Sequence, residues 1–390
     1  MRIGYVLGAF PRLSETFILT EIVELIKRGH EVFIFSLSRP RESIIYPEVF
    51  EYGLMERVYY PPSLLKLRLN IIKPTSLKLL AYRHRGIKAK FYSISYTNYF
   101  ANMIKRLGID VLHAHFATRP AFTAMLISKL SNIPYTFTAH AYDIFLNPDI
   151  HALKERMINA LTTITISYYN RKYLSKITGI SEDLIHVVRA CPNLDRLNRI
   201  KRKEKEFIVL TVARLVEKKG IKYAIMAMKE VVKEFPKVEY RIVGTGPQEK
   251  ELKDLVRSLG LERNVCFLGA LSWEELSREY AKASIFVLPC VRAKNGDMDG
   301  IPVALMEAMY LQIPVISTRI SGIPELVENY REGILTEPRS IKQLADALQL
   351  LLSDPKLRKD MGYRGREKIL REFNIKKEVD KLLNIWKQGR

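Results

Sequence analysis

A chain of 390 residues, 47% hydrophobic and 27% charged, has room for two or three domains with cores of their own and shows no bias towards disorder. Three cysteines (Cys191, Cys266, Cys290) at no ligand-like spacing exclude a disulfide scaffold and a zinc centre. With no signal peptide and no apolar run near 18 residues, they point to the cytoplasm. The formal charge of +21 favours anionic partners: phosphates, nucleic acid or an anionic membrane surface.

The chain opens as a strand–helix–strand unit. Residues 2–8 and 31–37 read as strands around an amphipathic helix that buries Phe17, Ile22, Leu25 and Ile26 and ends at Gly29, with Ser14 or Thr16 as its cap. The loop GAFPRLSETF sits where a phosphate loop would but has one glycine, so Ser14 and Glu15 read either as a capped helix start or as ligand contacts. Between Arg57 and Ile109 there are eleven Lys/Arg and no acid, interleaved with Leu and Ile. Such a stretch suits an anionic bilayer, and equally a core helix with a solvated basic face. A strand from Ile109 ends in DVLHAH, a helix follows from about Arg119, and the strand YTFTAH opens at Pro134. Ligands of open α/β sheets gather at the carboxyl ends of strands, which makes His115 and His140 candidates by position. Leu161–Ser167 and Leu184–Ala190 are two further strands, with Cys191-Pro192-Asn193 as a turn.

Residues 198–206 are polar and without apolar periodicity, a linker candidate. Strand–helix alternation then restarts at Phe207 and continues through strands at 238–243, 264–268 and 284–288, with helices at 220–235, 248–259 and 273–282. Three helical segments close the chain, at roughly 340–352, 355–371 and 376–388. Two such series imply two doubly wound α/β domains. In the second, Arg214, Lys218 and Lys219 follow a strand, offering a guanidinium fork and point charges to an anion. Gly244-Thr245-Gly246-Pro247 closes the next strand, where Gly246 would let backbone approach a ligand.

The stretch KNGDMDGIPVALMEAMYLQIPVISTRISGIPE, from Lys294 to Glu325, is the most informative. Gly300, Ile301, Pro302 and Val303 form a turn into a helix, with Pro302 near the first helical position, where a missing N–H costs nothing. That start offers free N–H groups and a positive dipole end to a phosphate. Asp299 and Glu307 lie eight positions apart, just over two helical turns, so they can hold opposite ends of one ligand; the plainer reading is an N-cap and a surface glutamate.

A carboxylate, Gly-x-Pro and Glu-Ala-Met at this spacing, then Pro-Val and Gly322-Ile323-Pro324-Glu325, resemble the donor motif of family 4 retaining glycosyltransferases. Pro-x-Leu-Ser-Glu-Thr-Phe resembles their exopolysaccharide subgroup, such as the colanic acid enzymes. The resemblance spans nearly the whole chain and implies the GT-B fold: two Rossmann-like domains facing a cleft. The expected division is residues 1–198 for the acceptor side, 199–371 for the donor, and 372–390 as a helix returning to the first domain.

The resemblance further implies a nucleotide-sugar donor and a glycan or lipid-linked acceptor. Glu307 would hold the ribose, Gly300–Val303 with Arg214 and Lys219 the diphosphate, Asp299 the sugar hydroxyls, and backbone at Phe267 and Leu268 the base. His140, in Thr-Ala-His, would stand beside the transferred sugar, with Ser14, Glu15 and His115 on the acceptor side. Relatives mostly carry Glu where this chain has Asp299, one methylene shorter, which leaves the sugar's identity open. Fixed positive groups do the work of a metal, so no essential metal and no separate cofactor are expected; Arg292 and Lys294 beside Asp297 and Asp299 also argue against one. The alternatives are another GT-B enzyme (an epimerase or an inverting transferase) and a basic nucleic-acid binder. No readout element supports the last, and nucleic acid is not an expected partner.

Overall fold

The computed structural model describes residues 1–40, 45–62, 78–84 and 86–388. The chain divides into two compact units, Met1–Ala190 with Ile375–Arg390, and Cys191–Asn374. Each is built on one wholly parallel sheet, as expected of strands that read as continuous apolar runs.

The first unit holds β1 (Arg2–Leu7), β2 (Glu31–Ser36), β3 (Val58–Tyr59), β4 (Val111–His115), β5 (Tyr135–Ala139), β6 (Thr162–Thr165) and β7 (Ile185–Val187). Their order in the sheet is β3-β2-β1-β4-β5-β6-β7. The direction of winding reverses between β1 and β4, the kind of switch point at which open α/β sheets bind ligands. Both histidine candidates stand at that end, on β4 and just past β5. The first helix, Thr16–Lys27, buries Ile22 and Leu25 as its periodicity predicts, and Ile18 in addition, whereas Phe17 and Ile26 are only half-buried. Its cap differs from expectation. Glu15 is the N-cap residue and no side chain caps it; the Glu15 carboxylate instead pairs with Arg12 at 2.9 Å.

The C-terminal helix, Ile375–Gln388, belongs to this first unit. Trp386 is fully buried and donates its indole N–H to Thr136 Oγ1 at 2.9 Å. Glu378 accepts from the Arg189 N–H at 2.8 Å, and Asp380 pairs with Arg28. An amphipathic helix thus completes a sheet face that the unit's own segment leaves open.

The basic stretch lies partly outside the described residues, at 63–77 and 85. Its later part is a helix, Ile87–Arg106, that buries Ile94, Phe100 and Ile104. Near its start Ile87 is 73% exposed, and Phe91 and Tyr92 are also exposed.

The second unit orders its strands β10-β9-β8-β11-β12-β13, from β8 (Ile208–Val212), β9 (Glu239–Val243), β10 (Val265–Gly269), β11 (Ile285–Val287), β12 (Val315–Thr318) and β13 (Gly333–Thr336). Here the winding reverses between β8 and β11. The unit begins earlier than the linker composition suggested, because residues 191–198 fold onto it. The short helix Leu194–Leu197 carries Arg196 over the Trp273 ring, 4.4 Å from its centroid, and Asn198 accepts from the Tyr310 hydroxyl. The charged segment after it is pinned by backbone bonds from Lys203 to Ala281 and from Lys205 to Lys282, both 2.9 Å. Charge made it look like a free linker, but its polar groups are used along an edge of the unit.

Candidate functional site

The predicted residues fall into two clusters, one in each unit. In the second unit, β8 ends at Val212 and delivers Arg214 and the lysine pair. Arg214 is exposed. Lys219 Nζ lies 2.7 Å from Asp299, and Lys218 Nζ lies 3.1 Å from Asp297 and 3.4 Å from Asp299. Lys218 and Asp297 therefore extend the predicted pair into a four-membered charge network. Adjacent lysines already hinted at Lys218; which one faced inward was not legible. The loop holds this shape because Gly220 has φ +66°, and a Cβ there would stand 1.9 Å from the Pro289 carbonyl oxygen.

Burial pushes the Asp299 carboxyl up, but Lys219 and then Lys218 more than offset it and hold Asp299 below the usual carboxylate range. Burial likewise works against charge on Lys219, and Asp299 outweighs it, so Lys219 sits above the usual lysine value even though Arg214 opposes it. The signs follow. Asp299 contributes stability above the ordinary aspartate value of about 3.9, lost as pH falls through its folded value. Lys219 contributes below about 10.4, lost as pH rises through its own folded value. The pair is intact throughout the physiological range. The two aspartates are both paired with lysines. Cys290 donates its thiol to Asp299 at 3.5 Å; burial, and then Asp299, push that thiol far up, so it is no nucleophile.

Gly300, Ile301 and Pro302 are buried. Pro302 (ψ 125°) is the N-cap residue rather than the first helical one, and the helix runs Val303–Tyr310 with no side chain capping it. Its first N–H groups are the orphans that an anion could satisfy. Glu307 is 7% exposed, not a surface glutamate. It accepts from the Tyr280 hydroxyl at 2.8 Å and lies 3.7 Å from Arg196. Burial raises its pKa while Arg196 and Tyr280 pull the other way.

Phe267 and Leu268 are half-buried at the end of β10, where the register with β9 shifts and leaves Leu268 opposite no partner. Gly246 has a packing cause: a Cβ there would meet the Leu215 carbonyl oxygen at 2.4 Å.

In the first unit His140 and His115 come together. His115 Nδ1 lies 2.9 Å from His140 Nε2, and His115 Nε2 lies 3.1 Å from Glu21 Oε1. The same Glu21 oxygen accepts from the Tyr5 hydroxyl at 2.6 Å. Phe17 and Phe116 pack on the His140 ring, each with centroids 4.7 Å away. Phe116 holds φ +74°, a conformation that a bulky residue adopts only under constraint. Asp143 fixes the loop, accepting from the N–H groups of Ala117, His140 and Ala141, and Asn170 donates to the His140 carbonyl at 2.6 Å. Burial, then His115 and His113, keep His140 neutral.

Glu21 escaped the sequence reading. Its signal was an acid on the apolar face of a helix, between Ile18 and Leu25. Glu21, His113 and His115 offer three donor atoms within 4.8 Å of one another. All three are already engaged: His113 bonds Thr136 at 2.8 Å and Thr138 at 3.2 Å, so they read as a hydrogen-bonded cluster. Ser14 is exposed. Glu15 lines a shallow surface hollow with Phe10, Arg12, Leu13, Ile18 and Tyr46.

Residues 14–196 match Glycosyltransferase Family 4, and residues 195–368 match Glycosyl transferases group 1. A protein of Escherichia coli K12 named as a colanic acid biosynthesis glycosyltransferase, WcaL, is 31% identical over 98% of this chain and 99% of its own. The amylovoran biosynthesis glycosyltransferase AmsK of Erwinia amylovora is 30% identical, covering 96% of each chain. Among solved structures, Anabaena HepE in complex with UDP-glucose superposes with a TM-score of 0.75 at 16% identity, covering 100% of both chains. On the strength of the two matching regions and these near full-length relatives, the chain belongs to the family 4 glycosyltransferases of GT-B fold.

Proposed function

We propose that this enzyme transfers a sugar, with retention of anomeric configuration, from a nucleotide-diphosphate sugar to a glycan or lipid-linked acceptor in exopolysaccharide or glycolipid synthesis. The observation that carries the reading is the Lys219–Asp299 contact of 2.7 Å beside an uncapped helix start. Two lysines, Arg214 and the N–H groups of that helix supply the fixed positive field that a departing pyrophosphate needs. Asp299, paired with Lys219 at 2.7 Å, takes the sugar hydroxyls, and Glu307 the ribose. The first unit, which carries His140, is read as the acceptor-binding one. A retaining front-face reaction asks for stabilisation of the leaving phosphate, which then helps to take the acceptor proton, more than for a protein nucleophile. The names of WcaL and AmsK support the polysaccharide assignment, and the HepE complex supports a nucleotide-sugar donor.

A panel of nucleotide sugars, screened by thermal stabilisation and then by transfer to an acceptor, tests this. The expected product keeps the donor's anomeric configuration by NMR. Inversion, or a 2-epimer released without acceptor, would assign one of the other GT-B chemistries instead.

Because fixed groups supply the positive charge, the transfer rate is expected to stay within about twofold after EDTA treatment, an effect far below the tenfold worth of 1.4 kcal/mol. Loss of activity that only a divalent ion restores would refute the metal-free mechanism.

The first unit also meets a membrane in this reading. Ile87, Phe91 and Tyr92 are exposed on a helix that carries Lys88 and Lys90. No described helix is long and apolar enough to cross a bilayer, so binding would be peripheral, at most about 1 kcal/mol per basic residue that reaches the surface. Co-sedimentation with anionic vesicles is expected at low salt and should fade at 1 M, where the Debye length is about 3 Å. Equal binding to neutral and anionic lipid, or none to either, would leave the stretch as a solvated basic face.

A further inference from the structure

His140 does not act alone, because its ring nitrogen is wired to a buried carboxylate. We propose that Glu21 and His115 are positioning residues: His115, charged against the Glu21 carboxylate, donates Nδ1–H to His140 Nε2 and so fixes the His140 proton on Nδ1. His140 then offers the substrate a hydrogen-bond donor rather than an acceptor. The inference deepens the reading of His140 as facing the sugar and rests on it.

The geometry leaves few arrangements. His115 Nε2, 3.1 Å from Glu21 Oε1, must be a donor, since an ionised carboxylate only accepts. The second bond, 2.9 Å between His115 Nδ1 and His140 Nε2, holds one proton. That proton belongs to His115 or to His140, and the choice decides what is left on His140 Nδ1. Charge balance decides it. Glu21, His115, His113 and His140 are all buried. The titratable groups facing one another are Tyr5 from β1, Glu21 from the first helix, His113 and His115 from β4, and His140 past β5. The C-terminal helix contributes the uncharged indole of Trp386, 5.5 Å from His113. A neutral His115 would leave Glu21 as a lone buried charge, which is costly; a charged His115 makes the cluster neutral. His113, pushed down to about 3 by burial and then by His115, does not compete for the proton. Tyr5 stacks on His115, with centroids 5.8 Å apart at 14°, and holds Glu21 in place through its hydroxyl, so the relay has little freedom to rearrange.

Glu21→Gln discriminates because it is isosteric. The amide oxygen can still accept from Tyr5 and from His115 Nε2, but the negative charge is gone. His115 then reverts to a neutral ring with a bare Nδ1, and the His140 proton must move to Nε2 to keep the 2.9 Å bond. Long-range ¹H–¹⁵N spectra of the full chain labelled at histidine nitrogens read this directly, with His140 assigned by its loss in His140→Ala. The expected result is an Nδ1-protonated His140 in the wild type and an Nε2-protonated one in Glu21→Gln. In kinetics, Glu21→Gln should lower kcat about tenfold with donor KM within about twofold, as a misdirected hydrogen bond would. The double variant Glu21→Gln/His140→Ala should be no slower than His140→Ala.

An Nε2-protonated His140 in the wild type overturns the relay, and this needs no variant to fold. So does an unchanged tautomer in a folded Glu21→Gln, or a stoichiometric metal ion tightly bound by the cluster in purified protein. Wild-type turnover in His140→Ala, with the expected spectra, would instead remove His140 from the sugar site and refute the functional consequence while the tautomer result stood.

Discussion

Replacing Lys219 by alanine is expected to lower kcat by about 10²–10³-fold, the usual loss when one group aimed at developing charge is removed. Lys219 is held 2.7 Å from Asp299 and is largely shielded from water, with a side chain 14% exposed. In the proposed mechanism, little solvent reorganisation is therefore needed as charge builds on the leaving phosphate. The fold should survive, because Lys218, 3.4 Å from Asp299 and 3.1 Å from Asp297, keeps both carboxylates paired. Lys219→Arg should not restore activity, since a planar fork cannot take the place of a compact ammonium in this buried position. Initial rates with saturating donor, alongside circular-dichroism melts, separate the two effects. A Lys219→Ala enzyme within threefold of wild type would show that this lysine serves only to hold Asp299.

Glu307 carries the second large effect, and there stability and binding must be separated. Glu307→Ala would strip the carboxylate from beside Arg196, 3.7 Å away and buried, and from the Tyr280 hydroxyl at 2.8 Å. Removing one partner of a buried pair costs about 3–5 kcal/mol. The Cys191–Asn374 unit should therefore melt well below the wild type, so weak donor binding by that variant would say little about a contact to the ribose. Glu307→Gln keeps an oxygen for Tyr280 and the side-chain volume. It should lose roughly 1.5–3 kcal/mol of donor affinity, the worth of a hydrogen bond to a charged group. Calorimetry with the nucleoside diphosphate measures this. If Glu307→Gln binds it as tightly as the wild type, Glu307 is a structural residue that braces Arg196 and Tyr280. Adding Arg196→Met to Glu307→Ala should recover part of the lost stability, because the buried guanidinium that faced Glu307 leaves with it.

How far the sequence reaches is clearest at particular residues. Local pattern and spacing determined the alternation of strands and helices, the two parallel sheets, and the candidates Arg214, Lys219, Asp299, Glu307 and His140. The elements and the candidate positions follow from short-range physics, since periodicity decides which face is buried and strand ends in α/β sheets collect ligand groups; the roles given to the candidates came from the family resemblance. Tertiary structure alone decided the rest. Glu21 becomes part of the His140 cluster only because β1, β4 and the first helix bring Tyr5, His115 and Glu21 together from positions far apart in the chain. Lys218 and Asp297 join the charge network, and Arg196 and Tyr280 take Glu307, for the same reason. The Cys191–Asn198 segment joined the second unit against its composition, since Arg196 finds Trp273 and Glu307 there. Charge and polarity along a chain say which groups need partners. Which partners they find is settled only when distant segments pack, because a buried polar group takes whatever complement the fold places within about 3 Å.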